Sequence, residues 1–286
     1  MIAWVAGLAQ PNTEIYLADV VPAVNDFKIS NLINVSNDPG YDNQPSFQSN
    51  NILLFAGNNE GQTDIAQYHI KFKNRFWYHK GSASSQYSPQ RIPNSQHVLS
   101  VHLDSTGRQR LYHHHITTGV FEEAHPELQV AYFTLYDENT LVGSVLADNG
   151  LDMVVVDLKT KAVDTLFHGA GRSFHKIPNT KAVSYTLRNE EGNFDIYQLD
   201  METFDSFFVT QLPIGVQDHI WINETTLLLG SGDKLFLYDL FGNGDWQLVA
   251  DLSSYQITDI TRLALSPDGK KLALVALPKA DTEIKK

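Results

Sequence analysis

The chain has 286 residues, 42% hydrophobic and 19% charged, the proportions of a folded protein with a sizeable core rather than of a disordered one. Its net charge of −12, with no local cluster of Lys and Arg, sets it against DNA, RNA and other polyanions as partners. The absence of cysteine excludes disulfides, thiolate chemistry and Cys-ligated metals, and no apolar run is long enough to cross a bilayer as a helix.

Residues 1–10, MIAWVAGLAQ, are apolar and end on small residues, with no basic stretch before them. They read either as an extra strand or as the tail of a secretion signal. Residues 13–19, TEIYLAD, read as a strand. A repeated grammar of strand, turn, strand, turn, strand then begins. Gly40-Tyr41-Asp42-Asn43-Gln44-Pro45-Ser46-Phe47 leads to Asn51-Ile52-Leu53-Leu54-Phe55 and Gly61-Gln62-Thr63-Asp64-Ile65. Equivalent first strands start around Ser88, Tyr132, Phe174, Asp218 and Arg262, at spacings of 44, 44, 42, 44 and 44 residues counted from Gln44. Alternation of period two at this spacing predicts propeller blades of four short antiparallel strands and excludes helical repeats.

Six first strands predict an all-β, six-bladed propeller occupying residues 1–286 as one domain. Its closure is also legible. Residues 261–265 and 271–277 form two inner strands with no complete outer pair after them, and residues 13–19 form an outer strand with no inner strand before it. Joining the two ends completes one blade and hides two sheet edges.

Asp38-Pro39-Gly40-Tyr41-Asp42-Asn43-Gln44-Pro45-Ser46-Phe47 with Gly61-Gln62-Thr63-Asp64-Ile65, and Leu265-Ser266-Pro267-Asp268-Gly269-Lys270-Lys271-Leu272-Ala273, resemble the repeat of TolB-type propellers. The resemblance is strong in these two repeats, degraded in the other four, and covers residues 13–277. It implies a six-bladed propeller, a periplasmic or secreted location in a bacterium (a cytoplasmic one stays open), and binding rather than catalysis. TolB carries an α/β domain ahead of its propeller, for which this chain leaves no room. The Pal-binding and translocation role is therefore not carried over, and stand-alone TolB-like propellers are the nearer likeness. TolB-like propellers also resemble lyases acting on oligogalacturonate, which place His, Gln and Arg around a metal. His175, His219, Gln44 and Arg262 could assemble such a site in a metal-dependent lyase or hydrolase.

Other motifs have plainer explanations. In a strand, His113 and His115 share one face and His114 takes the other, and two imidazoles fall short of a metal's usual ligand set. By repeat position His114 packs between blades, and His115 sits at a polar strand end with Asp157, Asp200 and Asp239. The turns at Asn58–Gly61, Asp148–Gly150 and Asn189–Gly192 lack calcium-loop spacing. Asp64, Asp152 and Asp195 follow these turns and are expected to accept turn amides. There is no G-x-S-x-G elbow and no phosphate-binding loop.

The starts of the first strands crowd around the channel mouth in three successive rings, led by Asp42, Asn43 and Gln44 of the first repeat. The candidate binding residues there are Asp42, Gln44, Tyr87, Tyr132, Arg172, His175, Asp218, His219 and Arg262. This mixture suits a small polar ligand or a protein partner. No catalytic residue, metal ligand or cofactor is assigned. With no hydrophobic seam left over, the chain is expected to be a monomer that does not insert into membranes.

Overall fold

The computed structural model describes residues 10–21, 27–78 and 83–279. Both readings of residues 1–10 fall, but for Gln10, outside the described residues. The strands form six sheets arranged as the blades of a propeller. From the channel outward, blade 1 is Asn43–Ser49, Ile52–Asn59, Gln62–His69 and Asn74–Trp77. Blade 2 is Ser85–Arg91, His97–Leu103, Gln109–His115 and Phe121–His125. Blade 3 is Val130–Leu135, Thr140–Ala147, Gly150–Asp157 and Val163–His168. Blade 4 is Ala170–Lys176, Ala182–Arg188, Phe194–Asp200 and Ser206–Gln211. Blade 5 is Ile220–Trp221, Thr226–Ser231, Lys234–Asp239 and Gln247–Asp251. One 3₁₀ turn, Ser253–Tyr255, precedes blade 6, and no helix among the described residues is long and apolar enough to cross a membrane.

Blade 6 joins the two ends of the chain, as expected. Its inner strands are Leu263–Leu265 and Lys271–Pro278, its outer ones Glu14–Val21 and Lys28–Asn34. The seam is a continuous antiparallel ladder from Glu14 opposite Ala276 to Asp19 opposite Lys271. The ion pair of Lys271 with Asp19 lies at its end.

Hydrophobic cores lie between blades. Tyr16, Leu228, Leu235 and Leu274 join blades 5 and 6, and Ile15, Phe55, Tyr68 and Val275 join blades 6 and 1. One expectation needs correction here. The second strands of blades 1, 5 and 6 do not alternate but read as apolar runs, Leu53-Leu54-Phe55-Ala56, Leu227-Leu228-Leu229 and Leu272-Ala273-Leu274-Val275. Each of these residues is fully buried. The second strand is sandwiched between two neighbouring blades, so both of its faces need apolar side chains.

The repeat also explains the histidine triplet. His114 is fully buried, its ring 6.3 Å from that of Tyr78 at the outer edge of blade 1. His115 accepts the backbone N–H groups of Thr117 and Thr118 at Nδ1 (3.2 and 3.3 Å). Asp157 and Asp200 do the same for their own turns, with Oδ1 to N distances of 2.8 to 3.1 Å. Of the three aspartates expected to accept turn amides, Asp64 and Asp195 accept the side-chain amides of Asn59 and Asn189 (2.8 and 2.9 Å). Asp152 instead pairs with His168 across the outer hairpin (2.7 Å).

Candidate binding site at the channel mouth

The ladder between first and second strands slips near the start of the first strand in blades 1 to 4, between Asn43 and Ser46, Tyr87 and Gln90, Val130 and Tyr132, and Ala170 and Phe174. A bulge re-aims side chains. In these blades Gln44, Ser88, Tyr132 and Phe174 lie at the slips, and in blades 5 and 6 Asp218 and Arg262 stand just before the first strand; all six line a cavity of about 90 Å³ around the axis. The third of the three rings thus faces the channel. Gln44 and Ser88 take left-handed backbone angles (φ 56° and 51°), a conformation uncommon outside glycine. Proline follows each, and having no N–H it leaves the ladder open at that point. The two blades are tied here, because the Gln44 Oε1 accepts the Ser88 N–H at 2.8 Å.

Seven of the nine sequence-derived candidates line this cavity: Gln44, Tyr132, Arg172, His175, Asp218, His219 and Arg262. Asp42 does not. It is fully buried at the seam of blades 6 and 1, where its backbone exchanges hydrogen bonds with Thr13 and its Oδ1 accepts the Asn58 N–H (3.1 Å). Tyr87 also stands outside the lining, its ring edge-on to Tyr41 at 6.2 Å. Tyr41, which the sequence reading did not single out, packs against Tyr87 just outside the lining. Burial pushes its hydroxyl up to about 12, with the charges of Arg262 and Arg172 opposing.

The charged groups are arranged unevenly. Asp218 is buried and accepts the Arg172 Nε–H at 2.9 Å, with a second contact from the Arg172 Nη2. Arg262 belongs to blade 6, yet its guanidinium lies 5.3 Å from the ring centre of Tyr132 in blade 3, on the opposite side of the propeller. The side chain therefore crosses the channel.

The two histidines belong to a network of hydrogen bonds with two serines. The Trp221 indole N–H, which can only donate, reaches the Ser184 Oγ (2.7 Å). That hydroxyl also lies 2.9 Å from the Nε2 of His219 and donates toward the His175 carbonyl oxygen (3.4 Å). The Ser173 Oγ receives the His219 backbone N–H (3.2 Å) and lies 3.2 Å from the His219 Nδ1 and 3.1 Å from the His175 Nε2. Burial holds both imidazoles neutral. His175 is pushed down to about 4, and His219 is held well below its ordinary value, with neighbouring His175 adding to the effect. The Nε2 of His175 and both ring nitrogens of His219 are engaged by serine hydroxyls, and the Asp218 carboxylate is committed to Arg172. A metal would have to break this network, so these residues do not fit a metal-ligand set. Among the described residues no three His, Asp or Glu side chains cluster to hold an ion.

No family model and no curated protein matches the sequence. Solved structures do match its fold. A putative TolB from Agrobacterium tumefaciens superposes with a TM-score of 0.68 at 14% identity, over 95% of this chain and 100% of that one. TolB from Acinetobacter baumannii gives 0.60 at 11% identity over 93% of this chain, which spans 64% of that protein's length, less than two thirds. Oligogalacturonate lyase from Vibrio parahaemolyticus gives 0.53 at 11% identity over 94% and 99% of the two chains. At such identities the likeness is one of fold: the chain is a TolB-like six-bladed β-propeller.

Proposed function

We propose that the protein is a non-catalytic binding propeller of the bacterial envelope, periplasmic or secreted and monomeric, that holds a small polar ligand or a protein segment at the channel mouth. The single observation carrying this reading is the convergence of polar side chains from all six blades on one cavity, with His175 and His219 hydrogen-bonded to Ser173 and Ser184. Such a site offers hydrogen bonds for recognition but no activated nucleophile or base. The lyase reading is the weaker one, because it needs His175 and His219 as metal ligands and their ring nitrogens are engaged by Ser173 and Ser184.

A thermal-shift screen against sugars, organic acids and envelope peptides tests this reading. Binding stabilises a folded protein in proportion to the logarithm of ligand over Kd, so a real ligand raises Tm with concentration. Calorimetry with manganese, zinc and calcium is expected to give only heats of dilution. Stabilisation by a divalent metal that disappears in His219→Phe would favour the lyase reading.

A further inference from the structure

The acidic protein has a basic channel. Besides Arg172, Asp218 and Arg262 around the cavity at the strand starts, a second cavity of about 280 Å³ continues along the inner strands and is lined by Arg91 and Lys176, with no Asp or Glu. Four cationic residues and one carboxylate therefore line the two cavities, in a chain whose net charge is −12, although the Lys176 ammonium donates to the Tyr136 carbonyl oxygen at 2.8 Å. A charge of one sign inside low-dielectric walls concentrates the field that a small ion meets there.

Arg172 is matched by Asp218. Among the described residues the Arg262 guanidinium has no hydrogen-bond acceptor and no carboxylate partner, and it lies over the Tyr132 ring. Guanidinium offers five N–H donors in a fixed fork suited to carboxylate and phosphate. Placed over an aromatic face it keeps its planar edge free to bind. Arg172 lines the same cavity, and the one carboxylate there, Asp218, is occupied by it.

We infer that the channel binds a small ligand through an oxyanion group, carboxylate or phosphate, gripped by Arg262 where that side chain crosses from blade 6 to the Tyr132 ring of blade 3. This rests on the reading of the channel as a binding site and names the chemistry of its ligand. The average charge of −12 and the narrowness of the cavity select against long polyanions, whereas a single small anion reaching the axis meets a local excess of positive charge.

Isothermal titration at fixed ionic strength tests it, with inorganic phosphate, citrate and glucuronate as anionic probes and glucose as the neutral counterpart of glucuronate. Anions are expected to bind and glucose not to, and the order of phosphate against the two carboxylates identifies which oxyanion the site prefers. Arg262→Gln is expected to weaken anion binding by about tenfold or more, the scale of a charge-assisted hydrogen-bond pair. Lys181→Gln, at an exposed ion pair with Glu202, is expected to leave it unchanged. Arg262→Lys keeps the charge without the fork, and an intermediate affinity would separate binding from any misfolding of the Gln variant. Anion binding as tight in Arg262→Gln as in the parent would overturn the inference. So would channel binding of neutral sugars or peptides with none by anions, and that outcome would leave the reading of a binding channel standing. Failure of every ligand class would remove both.

Discussion

Ionising a carboxyl group as deeply buried as Asp42 costs free energy that its few partners only partly offset. Burial dominates, Glu14 adds repulsion, and the Asn58 N–H and the charge of Arg75 oppose; together they push the carboxyl up to about 7. The sign follows from linkage. A folded-state value raised above the unfolded one contributes stability that is fully present below about 4 and lost as pH rises through about 7. Between pH 5 and pH 8 the parent is expected to lose about 2–3 kcal/mol more than Asp42→Asn in urea denaturation, and equal slopes for the two would contradict this assignment. The imidazoles have the opposite sense, because values lowered by burial give stability that is lost as pH falls below their ordinary range. Nitrogen-15 spectra are expected to show both His175 and His219 neutral at pH 5.5. A charged ring at that pH would contradict this effect of burial.

At the scale of strands, the channel lining depends on bulges that one methyl group can disturb. Gly143 in the second strand of blade 3 lies directly behind Tyr132, and a Cβ there would meet the Tyr132 carbonyl oxygen and Phe133. Neither can move without shifting the first strand, so Gly143→Ala is expected to cost about 1–3 kcal/mol, the range for overpacking, measured by the denaturation midpoint. Unchanged stability would mean that the first strand yields easily. These bulges also explain how far the site could be read beforehand. The 44-residue spacing located one residue per blade at the axis, since the repeat keeps backbone position constant. It could not separate Gln44 from Asp42, two residues earlier on the same nominal face, because the slip between Asn43 and Ser46 breaks the alternation on which that distinction rests. Arg172 reached the cavity from the outer ring for the same reason, through the slip between Ala170 and Phe174. Tyr41 lies just before a strand, where no periodicity applies. The hydrogen-bond network through Ser173 and Ser184 joins side chains on three strands of two blades, a relation that spacing does not encode.

For the whole molecule, blade count and closure were legible because each depends on order along the chain. The N-terminal strand pairs with the C-terminal one in the expected blade. The distribution of charge was not legible, because Arg91, Lys176 and Arg262 stand far apart in sequence and meet only when the ring closes. Closure thus produces the feature with the clearest functional consequence, a basic channel through an acidic protein. The most direct test is a crystal structure of the protein grown with selenate, an oxyanion located by its anomalous scattering. The expected result is a peak in the channel within hydrogen-bonding distance of the Arg262 guanidinium, about 2.7–3.2 Å. Selenate found only on exposed lysines, with the channel holding nothing but water, would contradict the account.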